Sequence, residues 1–305
     1  MVTRLMAVVV AVCGIVGAAR VGVEPTVLNV ATLDTSAAGG DTNVPARLRL
    51  AAGRLVAEFV DGKRVDYDGL RDSEAFGEYL TLASGLDGFD LDALDTQDAR
   101  LAFWINLYNA LVLHSVLESG VEESVREQDG FFDRYAYCVG GLTFTPNDIE
   151  HGVLRGVKFD DDDARAPHVA PRLDPRLHFA LNCASTGCPP IASYSADDID
   201  EELDSATRSF VNSASEVRVD PAAGKVSLSP IFDWYAGDFG FSDTSVISFL
   251  LGHLNPGEDR DYLAAHMQSI RVTTQPDLGR PLAGRCVSGL GSRHDPSTIV
   301  PPRPA

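Results

Sequence analysis

Lysine is scarce in this 305-residue chain, occurring only at Lys63, Lys158 and Lys225. Lysine and arginine together number 25 against 44 aspartates and glutamates, for a formal net charge of −19. Such a surface repels nucleic-acid phosphates and anionic lipid heads, which excludes a general DNA or RNA binder. Dense carboxylates suit a salty solvent that screens their repulsion, so the acidity reads as a halophile-like solubility device rather than a partner site. Five cysteines (Cys13, Cys138, Cys183, Cys188 and Cys286) are too few for a disulfide scaffold and lack the paired spacings of a zinc ribbon. Of these, Cys183 and Cys188 are close enough in sequence for a local disulfide if the compartment oxidises. As metal ligands with His178 they lack a fourth partner, so neither a metal nor a cofactor is expected.

Long apolar runs are equally rare. Leu5 to Ala19 has the length of a signal-peptide core and ends in small residues, which predicts a secreted chain. An uncleaved anchor through residues 5–19 and a cytoplasmic chain with a disordered leader are the alternatives. No second run is expected to span a membrane.

Residues 24–44 are small, polar and without period, and read as a linker. A domain over 45–272 and a disordered tail over 273–305 follow. Helical spacing of Leu48, Leu55 and Phe59 predicts a first helix stopped at Gly62, and Ser73 to Ser84 a second. From Leu101 to Leu117 no residue is charged, and a helix apolar on every side is one buried on every side. Tyr135 to Phe144 around Gly140-Gly141 reads as a hairpin, followed by a short helix from Asn147 to Arg155. Arg176 to Cys183 reads as a central strand, and Ala196 to Val211 as a helix capped by Ser195. A second hairpin over 216–228 and short helices through Trp234 and over 245–254 complete the domain. The fold class is α+β, a single mixed domain with one fully buried central helix packed on a small sheet.

Chemistry concentrates in a few places. Asn106, Tyr108 and Asn109 lie on the buried helix and must find partners, either backbone groups of neighbouring loops or a ligand. On a strand, His178 and Asn182 would share one face and Cys183 the other. Cys183 is a candidate nucleophile only if the strand ends before it or if a histidine comes from elsewhere, such as His114 or His151. Glu150, His151 and Arg155 share the short helix, and Trp234 and Asp238 lie in an aromatic stretch.

Four blocks carry a resemblance: Ala102 to Leu111, Asp148 to Arg155, Asp174 to Pro190 and Ser229 to Phe239. In order and spacing they resemble family 547 of the domains of unknown function, over roughly residues 45–255. The resemblance implies an exported or membrane-associated setting and no established reaction. It implies a site, if any, among Asn106, Tyr108, Asn109, Glu150, His151, Arg155, His178, Asn182, Cys183, Cys188, Trp234 and Asp238. Two readings follow. In the first, the domain is a non-catalytic module that binds a small molecule or peptide, with Cys183 and Cys188 bonded or packed. In the second, it is a thiol-dependent hydrolase or acyl transferase, with Cys183 attacking, His151 or His178 as base, and Asn106 or Asn109 donating to the oxyanion.

Overall fold

The structure is a computed structural model that describes residues 24–30, 43–122, 124–185 and 187–275. The expected signal segment, most of the expected linker, Cys13, Cys286 and the chain from 276 onward lie outside the described residues. Element order is β1 (Thr26–Val27), α1 (Val44–Phe59), β2 (Val60–Asp61), β3 (Arg64–Val65), α2 (Tyr67–Arg71), α3 (Glu74–Ser84), α4 (Gln97–Ser119), α5 (Phe131–Arg134), β4 (Tyr135–Val139) and β5 (Leu142–Phe144). A π-helix (Asp148–Leu154) and a 3-10 helix (Pro175–Phe179) come next. Then follow α6 (Ile199–Val211), β6 (Val217–Asp220), β7 (Lys225–Leu228), α7 (Ile231–Trp234), α8 (Asp243–His253), α9 (Glu258–His266) and β8 (Arg271–Thr274).

Helix α4 is the axis of the fold. Every residue from Leu101 to Leu117 is buried, as its uncharged sequence requires. It begins where the Thr96 side chain accepts from the Ala99 amide and packs on α1, α6, β4 and the π-helix. Its length and composition taken alone would suffice to cross a membrane. However, 94% of its most apolar stretch is buried inside the protein, so it is a core helix.

Among the described residues the strands form three small sheets, in the orders β1-β4-β5, β2-β3 and β6-β7-β8, and β4 packs on α4. The β4–β5 hairpin turns at Gly140 and Gly141, with φ of 58° and 74°, the two left-handed positions that a tight hairpin turn needs. Strand β1 pairs parallel to β4, and Asn29 donates to the carbonyls of Ala83 and Cys138. Residues 24–30 therefore belong to the folded body and not to a linker. At the other end β8 pairs parallel to β7, so Thr273 and Thr274 are sheet residues rather than the start of a tail.

In place of the strand predicted over 176–183, Pro175–Phe179 form a 3-10 helix and residues 180–183 follow as a turn and irregular backbone. Asp174 starts the helix by accepting from the Arg176 amide, and Pro175 supplies a helical φ at its first position. Alternation of apolar residues is ambiguous over so short a run, and these local signals win. Helix α6 likewise starts at Ile199, later than the Ser195 cap predicted. The Ser195 hydroxyl instead holds the amide of Asp197 in a preceding turn.

Among the described residues the apolar side chains form two cores. The larger surrounds α4, and the smaller joins Phe179, Phe210, Phe232, Phe239 and the β6-β7 hairpin to α8 and α9. The 3-10 helix lies at their seam, with Leu177 in the larger core and Phe179 in the smaller.

Candidate functional site: a buried polar cluster at the seam of two cores

The π-helix brings Glu150, His151 and Arg155 to this seam. Its start is fixed by a reciprocal pair in which the Thr145 amide and hydroxyl donate to Asp148 Oδ2 (3.0 and 2.8 Å) and the Asp148 amide donates to Thr145 Oγ1 (3.1 Å). Gly152 gives the Phe159 ring room against this helix, because a Cβ there would lie 2.2 Å from it and would force the ring to move. The wider π-helical turn carries one residue more per hydrogen-bonded ring than an α-helix, a departure that recurs at functional sites.

Asp238 is the hub. Arg155 donates to it twice, Nε to Oδ2 at 2.6 Å and Nη2 to Oδ1 at 3.0 Å, and His178 Nε2 lies 2.7 Å from Oδ2. The remaining Arg155 nitrogen, Nη1, lies 2.7 Å from His151 Nδ1. Glu150 receives two hydroxyls, from Tyr108 on α4 at 3.0 Å and from Tyr235 at 2.5 Å. The Tyr235 ring stacks on the His178 imidazole at 3.8 Å between centroids and lies beneath the Arg155 guanidinium at 4.9 Å.

Burial and pairing set the charges. For Asp238, burial pushes the carboxyl up, but the hydrogen bonds from His178 and Arg155 outweigh it and bring it down to about 2. Glu150 follows the same pattern. Burial raises it, while the neighbouring imidazoles and the Tyr235 and Tyr108 hydroxyls hold it below the usual carboxylate range. Burial dominates at both histidines and lowers them, with Arg155 adding its repulsion. Burial likewise pushes both tyrosine hydroxyls up, so they stay protonated donors.

The structure thus gathers Tyr108, Glu150, His151, Arg155, His178 and Asp238 from the sequence candidates and adds Tyr235. Tyr235 lay inside the aromatic stretch already singled out, one position beyond Trp234. Trp234 itself is 43% exposed, and which of two adjacent aromatics turns inward is a matter of the α7 terminus, with no sequence signal.

The three asparagines do something else. Asn106 clamps Tyr194, donating to its carbonyl (2.8 Å) and accepting from its amide (2.8 Å). Asn109 does the same across Ala180 and Asn182, at 3.0 and 2.9 Å. Asn182 holds the Ala184 amide (2.8 Å) and the Pro189 carbonyl (2.7 Å). In each, the side-chain oxygen and one N–H go to backbone groups, which is the first of the two roles the sequence leaves open for Asn106 and Asn109.

Cys183 and Cys188 form a disulfide. In this state Cys183 has no thiolate, so the nucleophile of the hydrolase reading is missing. His178 is committed to Asp238, and His114 lies elsewhere, its Nδ1 2.9 Å from the Tyr137 hydroxyl on β4. Among the described residues no group of three or more histidines, cysteines or carboxylates could hold a metal ion.

Residues 91–211 match a family described as "Protein of unknown function, DUF547", the family that the sequence blocks resemble. The matched segment holds Tyr108, Glu150, His151, Arg155 and His178 and ends before Tyr235 and Asp238. No curated protein and no solved structure matches the chain.

Proposed function

We propose that this domain is a ligand-binding module whose ligand is a small neutral molecule bearing a carbonyl, such as a peptide or amide, received at the His151 edge of the polar cluster. The observation that carries this reading is the contact between Arg155 Nη1 and His151 Nδ1. A guanidinium has no acceptor, so His151 Nδ1 accepts and the neutral ring carries its proton on Nε2. The His151 side chain is 16% exposed against 1% for His178, so His151 is the imidazole that can offer its N–H to a molecule from solvent. Arg155 is tied on its other side to Asp238, which holds the donor in place before a ligand arrives and lowers the ordering cost of binding. An anion fits poorly beside the carboxylates of Glu150 and Asp238 on a chain that carries −19.

The test is long-range proton–nitrogen NMR of the imidazoles during titration with N-acetylalanine methylamide, with acetate as the anionic comparator. The reading expects His151 protonated on Nε2 at neutral pH, a shift at that nitrogen with the amide exceeding the shift with acetate, and loss of amide-induced shifts at neighbouring residues in His151→Phe. A proton on Nδ1 in the free protein, or no response of His151 to the amide at tens of millimolar, overturns it.

A further inference from the structure

We infer that the Cys183–Cys188 bond is a redox-active disulfide that exchanges electrons with a dithiol, and that Cys183 is the sulfur attacked. The two cysteines differ in access. Cys183 is half-buried, whereas Cys188 is 5% exposed, so an incoming thiolate reaches Cys183 first. They also differ in what surrounds the sulfur. The Cys183 amide lies 3.3 Å from Cys188 Sγ and is aimed at the atom that would leave. An N–H donor stabilises a thiolate more than a disulfide sulfur, and a better-stabilised thiolate leaves faster.

The surrounding turn is held without the sulfur bond. Asn109 accepts from the Asn182 amide on one flank, Asn182 reaches the Pro189 carbonyl on the other, and the Cys188 amide donates to Ser185 O at 2.9 Å. A cross-link with a sequence separation of 5 also restricts the unfolded chain less than one closing a long loop. The bond is therefore poorly placed as a staple and well placed as a reactive group. Inside the ring, Ala184 has φ 58°, a left-handed conformation that a non-glycine residue adopts at a cost and that clusters at functional positions.

The exchange runs in two steps. A thiolate of the dithiol attacks Cys183 Sγ, a bond forms between them, and the Cys183–Cys188 bond breaks with its electron pair passing to Cys188. The second thiolate of the dithiol then attacks its own partner sulfur in the mixed disulfide, and Cys183 leaves as a thiolate. The dithiol is oxidised to a disulfide, the pair is reduced by two electrons, and two protons complete the Cys183 and Cys188 thiols.

The experiment treats the native full chain with dithiothreitol, alkylates at intervals and maps the modified peptides, while tryptophan fluorescence follows the folded state. The inference expects both cysteines of the pair to become alkylated with the folded signal intact. In single variants it expects oxidised glutathione to label Cys183 in Cys188→Ser about tenfold or more faster than Cys188 in Cys183→Ser. Alkylation of the pair only as the protein unfolds overturns it, as does faster labelling of Cys188. If either variant fails to fold, acid-quenched mixed disulfides of the wild-type chain with reduced glutathione decide the same point. Glutathione mapped to Cys183 supports the inference and glutathione mapped to Cys188 overturns it.

Discussion

Asp238 and His178, sixty positions apart, meet at 2.7 Å, and the same carboxylate oxygen takes the Arg155 Nε at 2.6 Å. One acid thus satisfies two donors from the π-helix and the 3-10 helix and joins the smaller core to the larger. Replacing Asp238 by Asn keeps the shape and removes the charge, leaving Arg155 half-buried without its counter-ion. The expected loss is roughly 2 to 3 kcal/mol of unfolding free energy, below that of a fully buried pair because the site reaches the surface. Urea unfolding of wild type and variant measures it, and a change within error would mean the pair contributes no net stability.

Asn109 carries a different kind of burden. Asn109→Leu preserves volume but orphans the Ala180 carbonyl and the Asn182 amide, each buried. At about 1 to 3 kcal/mol per orphaned group, the variant should lose about 3 kcal/mol. Hydrogen exchange should show the loosening centred on residues 180–184, and uniform loosening of the whole chain would argue against a local clamp.

His114 predicts how stability depends on pH. Burial lowers its imidazole to about 4, outweighing the pull of Glu118. The unfolded chain takes up a proton near pH 6.5 that the folded chain refuses until about 4. Stability is therefore fully present above the unfolded value and falls with acid between these limits, by up to about 3 kcal/mol. The lowered His151 and His178 act in the same direction. Unfolding midpoints of wild type and His114→Gln across this range should converge as pH falls, and parallel curves would contradict the assignment.

Gly152 and Phe159 are coupled by space. A Cβ at position 152 meets the Phe159 ring at 2.2 Å, so Gly152→Ala should cost about 1 to 3 kcal/mol in the native background. In a Phe159→Ala background the same change should cost much less. A double-mutant cycle reads the difference, and additive effects would remove the steric explanation.

Legibility followed the range of the interactions. The uncharged run from Leu101 to Leu117 could only be buried, and a turn made of Gly140 and Gly141 could only join a hairpin, so α4 and the β4–β5 hairpin were readable. The span from Arg176 to Cys183 reads as a strand from its short apolar alternation, whereas the Asp174–Arg176 contact and Pro175 start a 3-10 turn. The four sequence blocks named most of the polar residues that matter. Their grouping was not legible, because the asparagines, tyrosines and histidines were equally eligible for packing or for a site.

By itself, then, the sequence determined the net charge of −19, the buried central helix and the inventory of polar groups that had to be satisfied inside. These are consequences of composition and of spacing within a few residues, where solvation and helix period act locally. Only the tertiary structure decided that Asn106, Asn109 and Asn182 hold backbone while Glu150, Arg155, His178, Tyr235 and Asp238 hold one another. That division depends on contacts at separations of 60 to 85 residues between cluster members. It also depends on which of the adjacent aromatics Trp234 and Tyr235 turns into the seam, a choice set by the packing of two cores and by no local preference.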